Sequence, residues 1–138
     1  MRLFQKKMKI VIIGDQGPVL ERLERRIDIF WPPDVPVKTV AVHCAWADEA
    51  IEAVKEYQPD VLLLNYAFRR DEKTGRDVVR WIDQNYRLPI RVAVHSDRPE
   101  DDLHQLFSGT ACVKYFISGD NIKDFVEDCA RREKAEGR

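Results

Sequence analysis

The chain has 138 residues, of which 44% are hydrophobic and 34% are charged, and its 23 basic and 24 acidic side chains leave a formal net charge of −1. This length suits a single domain with a sizeable core, and the near-neutral charge argues against nucleic-acid or membrane binding by bulk electrostatic attraction. No apolar run approaches the roughly 20 residues that span a bilayer, and the opening MRLFQKKMKI lacks the apolar segment of a secretory signal.

Five short apolar runs alternate along the chain with five helix-like segments. The predicted strands are residues 9–13, 37–43, 61–64, 90–94 and 112–117. The predicted helices run from Gly17-Pro18 to the WPPD segment, over residues 47–57, after Gly75, over residues 98–107, and from residue 122 into the charged end. We assign residues 1–8 to an N-terminal extension, 9–132 to the domain and 133–138 to a charged tail.

The apolar runs also predict the architecture. Strands that are apolar throughout, without polar alternation, suit a parallel sheet covered by helices on both faces. Right-handed crossovers leave few arrangements, and the commonest is the flavodoxin-like, doubly wound, five-stranded parallel sheet, an α/β fold of (βα)5 type in three layers. Its working site lies at the carboxyl ends of the strands. The residues expected there are Gly14, Asp15, Asn65, His95, Ser96, Ser118 and Gly119.

The number and spacing of the cysteines indicate the redox environment of the protein. Cys44, Cys112 and Cys129 are odd in number, widely spaced and without any Cys-x-x-Cys pair. Such a set predicts reduced thiols and favours neither a disulfide framework nor a zinc site. We therefore expect a cytoplasmic protein.

Element order and motifs resemble a known family over residues 9–132. The matching segments are KIVIIGDQ, PDVLLLN, TGRDVVRWI, PIRVAV and KYFISGDN. They are similar to the receiver domain of two-component response regulators, which has a CheY-like version of the flavodoxin-like fold. The resemblance implies a magnesium-binding acidic pair after the first strand and a phosphoacceptor aspartate after the third. It also implies a Ser or Thr after the fourth strand and a lysine after the fifth.

Most of these positions carry other residues in this chain. The acidic pair falls on Gly14 and Asp15, the phosphoacceptor on Asn65, the hydroxyl on Ser96 and the lysine near Ser118. An amide is a weak nucleophile, and a single carboxylate is a poor magnesium site. The resemblance therefore implies a pseudo-receiver response regulator that acts by protein-protein contacts, without aspartyl phosphorylation.

The same resemblance sets the expectations for partners and cofactors. The resemblance implies that the partner is another protein or a second copy of the chain. The near-neutral net charge predicts neither a nucleic acid nor a membrane as partner. Tyr115 and Phe116 lie on the fifth strand, beside the face through which receivers pair, and exposed aromatics are typical of partner surfaces. No cofactor is expected, and Mg²⁺ held by Asp15 is the weaker alternative.

A narrower resemblance gives an alternative function. Residues 74–82, TGRDVVRWI, and residues 95–99, HSDRP, are similar to cyclic-phosphate-processing receiver-like domains. That resemblance implies phosphoester hydrolysis, for which the chain offers His95, Ser96 and Asp15. The Leu-Asp-His-Asp-Leu motif of those domains is replaced by LNYAF, so both aspartates and the histidine are missing. A second alternative is a phosphorylatable response regulator with an atypical acceptor, Asp71 on the long loop.

Each residue at this edge also has a structural interpretation. Asp15 is expected either to cap the first helix or to bind a metal. Asn65 is expected to organise its loop by bonding to nearby backbone. His95 is interpreted as a structural histidine or as the catalytic one. Ser96 or Asp97 is predicted to cap the fourth helix, with the following proline in its first turn.

Two further groups of polar residues have less specific interpretations. His43 and Cys44 end the second strand and are interpreted as packing or edge residues, away from the site. Arg69, Arg70 and Lys73 on the long loop are candidates to attract an anion. Their alternation with acidic neighbours favours a solvated loop instead.

Overall fold

The computed structural model describes residues 7–86 and 89–136, and within them five strands and five helices alternate. The elements are β1 (Met8–Gly14), α1 (Gly17–Phe30), β2 (Val37–His43), α2 (Ala47–Tyr57), β3 (Val61–Asn65), α3 (Gly75–Asn85), β4 (Arg91–His95), α4 (Glu100–Leu106), β5 (Val113–Ile117) and α5 (Ile122–Glu136). Residues 1–6 of the predicted N-terminal extension and 137–138 of the predicted tail lie outside the described residues.

The strands form one parallel sheet in the order β2-β1-β3-β4-β5. Helices α1 and α5 pack on one face of this sheet, and α2, α3 and α4 pack on the other. The predicted flavodoxin-like, CheY-like fold of three layers is therefore confirmed. No helix in the described ranges is long and apolar enough to cross a membrane.

The inner strands lack polar alternation because both faces of the sheet are covered. In β1, Val11 and Ile13 belong to the core beneath α2 and α3, whereas Ile10 and Ile12 belong to the core beneath α1 and α5. All four side chains are buried. The edge strands β2 and β5 are only partly buried. The sequence predicted all five strands from apolar runs and did not distinguish these edge strands from the inner ones.

Three strands, β1, β3 and β4, extend one residue further than predicted at their carboxyl ends, and β1 does so through Gly14. β3 includes Asn65 and β4 includes His95, because these residues are paired in the parallel register. Both polar side chains are thus carried on strand backbone. A strand places a side chain more rigidly than a loop does, which matters for the site described below.

The predicted start of α4 is wrong. The helix begins at Glu100, Pro99 occupies its N-cap position, and no side chain caps it. A proline disfavours helical backbone in the residue before it, so Arg98 stays outside the helix. Ser96 Oγ instead accepts a hydrogen bond from the Arg98 N–H at 3.1 Å, within the turn that leads to α4.

The three cysteines are free and buried, as Cys44 on the α2 side and Cys129 on the α5 side illustrate. Burial raises the pKa of Cys44 and of Cys129 to about 11. Buried thiols that stay protonated are poor nucleophiles and poor metal ligands. Their contribution is to packing.

Candidate functional site

The strand register brings four residues into one row at the carboxyl edge of the sheet. Gly14 pairs with His43 and Asn65 pairs with His95, while the Ile13–Leu64 pair sets Gly14 level with Asn65. The row therefore reads His43, Gly14, Asn65, His95 across β2, β1, β3 and β4. Neighbouring strands lie about 4.8 Å apart, so the backbones of His43 and His95 are separated by about 14 Å.

Gly14 allows the centre of this row to close. A Cβ added at Gly14 would lie 3.3 Å from Leu20 Cδ2 and 3.4 Å from Asn65 Cβ. The first distance is tighter than usual and the second is an ordinary contact, so a methyl group here would require the Leu20 side chain to shift by a few tenths of an ångström. At this position the small residue lets α1 and β3 approach each other.

Asp15 lies at the start of the β1–α1 turn and is turned toward the loop that follows β3. Its side chain is only 6% exposed. Its Oδ2 accepts a hydrogen bond from the Arg69 N–H at 2.8 Å and lies 3.6 Å from Arg69 Nε. The predicted helix-capping role is wrong, because Gln16 occupies the N-cap position of α1 and no side chain caps it.

Asn65 organises the beginning of the same loop, as one interpretation of the sequence predicted. Its Nδ2 donates to the Ala67 carbonyl at 2.8 Å and approaches Asp15 Oδ1 at 3.4 Å. The amide thus turns its nitrogen, and not its oxygen, toward the neighbouring carboxylate. The position that holds the phosphoacceptor in the resemblance is occupied here by a hydrogen-bond donor.

The loop from Tyr66 to Thr74 is held against the sheet at several points. Tyr66 N–H donates to the His95 carbonyl at 2.9 Å, and Gly75 N–H donates back to the Tyr66 carbonyl at 2.6 Å. Phe68 is buried in the α2–α3 core. A buried aromatic and closed backbone hydrogen bonds make this loop an ordered part of the site.

Asp71 fastens the far side of the loop to α2. Its Oδ2 accepts from the Ala47 N–H at 2.8 Å and its Oδ1 accepts from the Lys73 N–H at 3.1 Å. These backbone hydrogen bonds lower the pKa of Asp71. Lys73 in turn pairs with Asp48 of α2 at 3.1 Å. The polar loop residues are therefore tied to α2, and Asp71 is engaged as a structural acceptor.

A pocket of about 540 Å³ lies between the end of β2 and this loop, and we call it the rim pocket. It is lined by Asp15, His43, Ala45, Arg69 and Arg70. The interpretation of His43 as a residue away from the site is thus wrong. Its position could have been inferred, because the carboxyl ends of parallel strands lie at one edge of the sheet and His43 ends β2.

His95 faces a different space. It lines a narrow crevice of about 10 Å³ beneath α1, together with Leu20 and Asn65, which is room for about one water molecule. Burial lowers the pKa of His95, the Arg22 charge lowers it further, and Asp97 opposes both. Its Nδ1 is buried without a hydrogen-bond partner in the described structure. His95 is therefore favoured in its neutral form and shielded from a ligand of phosphoester size.

The remaining predicted positions form local structure. Ser96 bonds within the turn before α4 and is not brought together with His95 as a catalytic pair. Ser118 is exposed after β5, and its N–H donates to Asn121 Oδ1 at 2.8 Å. The carbonyl of Gly119 accepts from Arg26 Nη1 at 2.6 Å, which ties this turn to α1.

The magnesium ion implied by the receiver resemblance does not fit these residues. Asp15 already accepts hydrogen bonds, Gly14 has no side-chain ligand and its carbonyl accepts the Cys44 N–H, and Asn65 presents N–H groups to the Asp15 carboxylate. Magnesium prefers several oxygen ligands, including one or two carboxylates, in a near-octahedral arrangement. Among the described residues, no group of three or more His, Cys, Asp or Glu side chains could hold a metal ion.

Solved structures define the class to which this architecture belongs. The chain is similar to the N-terminal domain of an uncharacterised protein from Wolinella succinogenes, with 18% identity, a TM-score of 0.67, and coverage of 95% of this chain and 99% of that chain. It is also similar to the receiver domain of the stress response regulator RcsB from Escherichia coli, with 13% identity, a TM-score of 0.66 and coverage of 96% and 97%. The fold is that of a receiver domain.

The family is narrower than the fold. Residues 24–104, more than half of the chain, match the family model of the cyclic-phosphate processing receiver domain. The chain belongs to this family. The matched segment contains His43, Arg69 and Arg70 of the rim pocket, whereas Asp15 lies before it.

Proposed function

We propose that this domain binds cyclic phosphate esters in the rim pocket and hydrolyses them. The observation that carries the proposal is that one pocket is lined by two arginines, Arg69 and Arg70, and by His43. A guanidinium presents a planar fork of N–H donors that matches the oxygens of a phosphate. An imidazole exchanges protons near neutral pH. Membership of the cyclic-phosphate processing family supports the same ligand class.

The two arginines and the histidine of the rim pocket each have a role in the proposed reaction. Water attacks phosphorus, one ester P–O bond of the ring breaks, and the leaving oxygen takes a proton, so that a phosphomonoester and a hydroxyl group result. Arg69 and Arg70 hold the non-bridging oxygens, where negative charge increases in the transition state. His43 takes the proton from water or gives one to the leaving oxygen. His95 and Ser96 were the candidates from sequence, but His95 lines the narrow crevice beneath α1, which shares Asp15 with the rim pocket and is too small for a phosphoester.

Turnover of 2′,3′-cyclic nucleoside monophosphates tests this proposal, with the product followed by phosphorus NMR. We expect His43→Gln to lower kcat and Arg70→Gln to raise KM. The matched controls are His104→Gln and Arg80→Gln, which change an exposed histidine on α4 and an exposed arginine on α3. Neither control should alter turnover. If the wild-type protein neither binds nor hydrolyses any of these cyclic nucleotides, the proposal is wrong. If turnover is lost in His95→Gln but not in His43→Gln, the proton transfer belongs to His95.

We also propose that the domain is a pseudo-receiver that accepts no phosphoryl group at Asn65. The engagement of its amide nitrogen with Ala67 and Asp15 supports this. The alternative acceptor, Asp71, is disfavoured because both of its oxygens accept backbone N–H groups. Incubation with acetyl phosphate followed by intact mass measurement should show no phosphoryl adduct. An adduct that disappears in Asp71→Asn would instead establish the atypical acceptor.

Signalling through protein contacts is the second candidate function. One observation favours it: a surface groove of about 560 Å³ between α4, β5 and α5 is lined by Tyr115, Phe116 and Phe125. Aromatic side chains are enriched at protein interfaces. The occupant would be another protein or a second copy of the chain. Light scattering across a concentration series separates these two, since only self-association raises the mass with concentration.

A further inference from the structure

Asp15 corresponds to a magnesium-binding carboxylate in the receiver resemblance, yet its surroundings here are those of a loop anchor. The carboxylate is 6% exposed, whereas the Arg69 side chain beside it is 69% exposed. A buried carboxylate is costly unless it is hydrogen-bonded or paired. The Arg69 N–H and the Arg69 guanidinium provide that compensation, with Asn65 as a third donor.

The anchored segment carries the cationic side of the rim pocket. Asp15 holds it at the Arg69 N–H, and Asp71 holds it on the other side through the Ala47 N–H. Arg69 is the residue that Asp15 holds, Arg70 lies between Arg69 and Asp71, and both arginines line the pocket. The guanidinium of Arg69 is thus restrained at Nε near Asp15 Oδ2 while most of the side chain stays exposed.

We propose that Asp15 is a positioning residue that presents Arg69 and Arg70 to the phosphoester, and that these guanidinium groups act in place of a divalent metal ion. The inference rests on the proposed function for the identity of the ligand. It adds which groups neutralise the negative charge of the phosphate. A fixed positive charge that is already hydrogen-bonded needs little reorganisation when an anion arrives. Because the guanidinium groups supply the positive charge, we expect binding of the phosphoester to be independent of magnesium.

The loop anchor can be tested without any ligand. Hydrogen exchange of the Arg69 amide should be slow in the wild-type protein and faster in Asp15→Ala, because the acceptor of that N–H is removed. Asp60→Ala is the matched control: Asp60 Oδ2 also accepts a backbone N–H at 2.8 Å, from Lys9, at the opposite edge of the sheet. It should leave the Arg69 amide unchanged. Unchanged exchange in Asp15→Ala would overturn the positioning role.

Ligand titration tests metal independence, with 2′,3′-cyclic AMP as the probe. We expect the same Kd in EDTA and in magnesium, and we expect Asp15→Asn to weaken binding about tenfold, as for loss of a charge-assisted contact, while Asp60→Asn does not. Binding that disappears in EDTA and returns with magnesium would overturn the proposal. If the wild-type protein binds no cyclic phosphate in either condition, the proposed function fails, and the exchange experiment still decides the role of Asp15.

Discussion

Alanine substitution at Gly75 and at Gly17 should change stability in opposite directions. Both glycines stand at the first position of a helix, α3 and α1 respectively. A Cβ added at Gly75 would lie 2.9 Å from the Asn65 carbonyl oxygen and 3.2 Å from Tyr66 Cα. A Cβ added at Gly17 would have nothing within 4 Å. The two variants therefore differ in one respect, the close packing of Asn65 and Tyr66 against the start of α3, and a difference in their stability reports on that packing.

The magnitude follows from two opposing contributions. Replacing glycine by alanine where the backbone permits it stabilises a protein by about 0.4–1 kcal/mol. Overpacking costs about 1–3 kcal/mol, and at Gly75 the nearest atoms are backbone atoms that cannot rotate away. We therefore expect Gly75→Ala to lower the free energy of unfolding by about 1–2 kcal/mol. Gly17→Ala should raise it by about 0.5 kcal/mol.

Urea unfolding followed by circular dichroism measures both variants. The midpoint should fall for Gly75→Ala and rise slightly for Gly17→Ala, with unchanged m-values in each. Equal stabilisation of the two variants would refute the close approach of the β3 end to α3. Because Asn65 and Tyr66 begin the loop that carries Arg69, Gly75→Ala should also weaken ligand binding in the rim pocket.

The other predictions concern the phosphoacceptor position, a partly buried histidine and the thiols. Asn65→Asp alone should give no aspartyl phosphate with acetyl phosphate in intact mass measurements, because Gly14 and Ser118 still lack the second carboxylate and the lysine; robust labelling would contradict this. The pKa of His95 lies below its ordinary value of 6.5 in the folded protein, so the unfolded chain binds more protons and stability should fall as pH drops through and below about 6.5. His95→Gln should flatten that dependence in urea midpoints measured between pH 7 and 5, and an unchanged slope would contradict the assignment. A thiol reagent at neutral pH should label no cysteine until urea unfolds the protein, since all three thiols, Cys44, Cys112 and Cys129, are buried with raised pKa values; rapid labelling of the native protein would show that one is accessible.

The local pattern of the sequence determined the fold. Apolar runs such as residues 61–64 suit strands of a sheet covered on both faces, and the segments between them have the apolar spacing of helices that cover it. Right-handed crossovers then bring Gly14, Asn65 and His95 to one edge. These features depend on periodicity and chain order, which are properties of the sequence itself.

Only the tertiary structure decided what that edge contains. Asp15 meets the Arg69 N–H across 54 positions of sequence, and Asp71 meets the Ala47 N–H across 24. The path of an irregular loop decides which carboxylate accepts a hydrogen bond from which backbone N–H. No periodic pattern in the sequence encodes that path. The rim pocket with His43 exists because the loop closes over the ends of β1 and β2, and closure results from long-range contacts made when the whole domain folds.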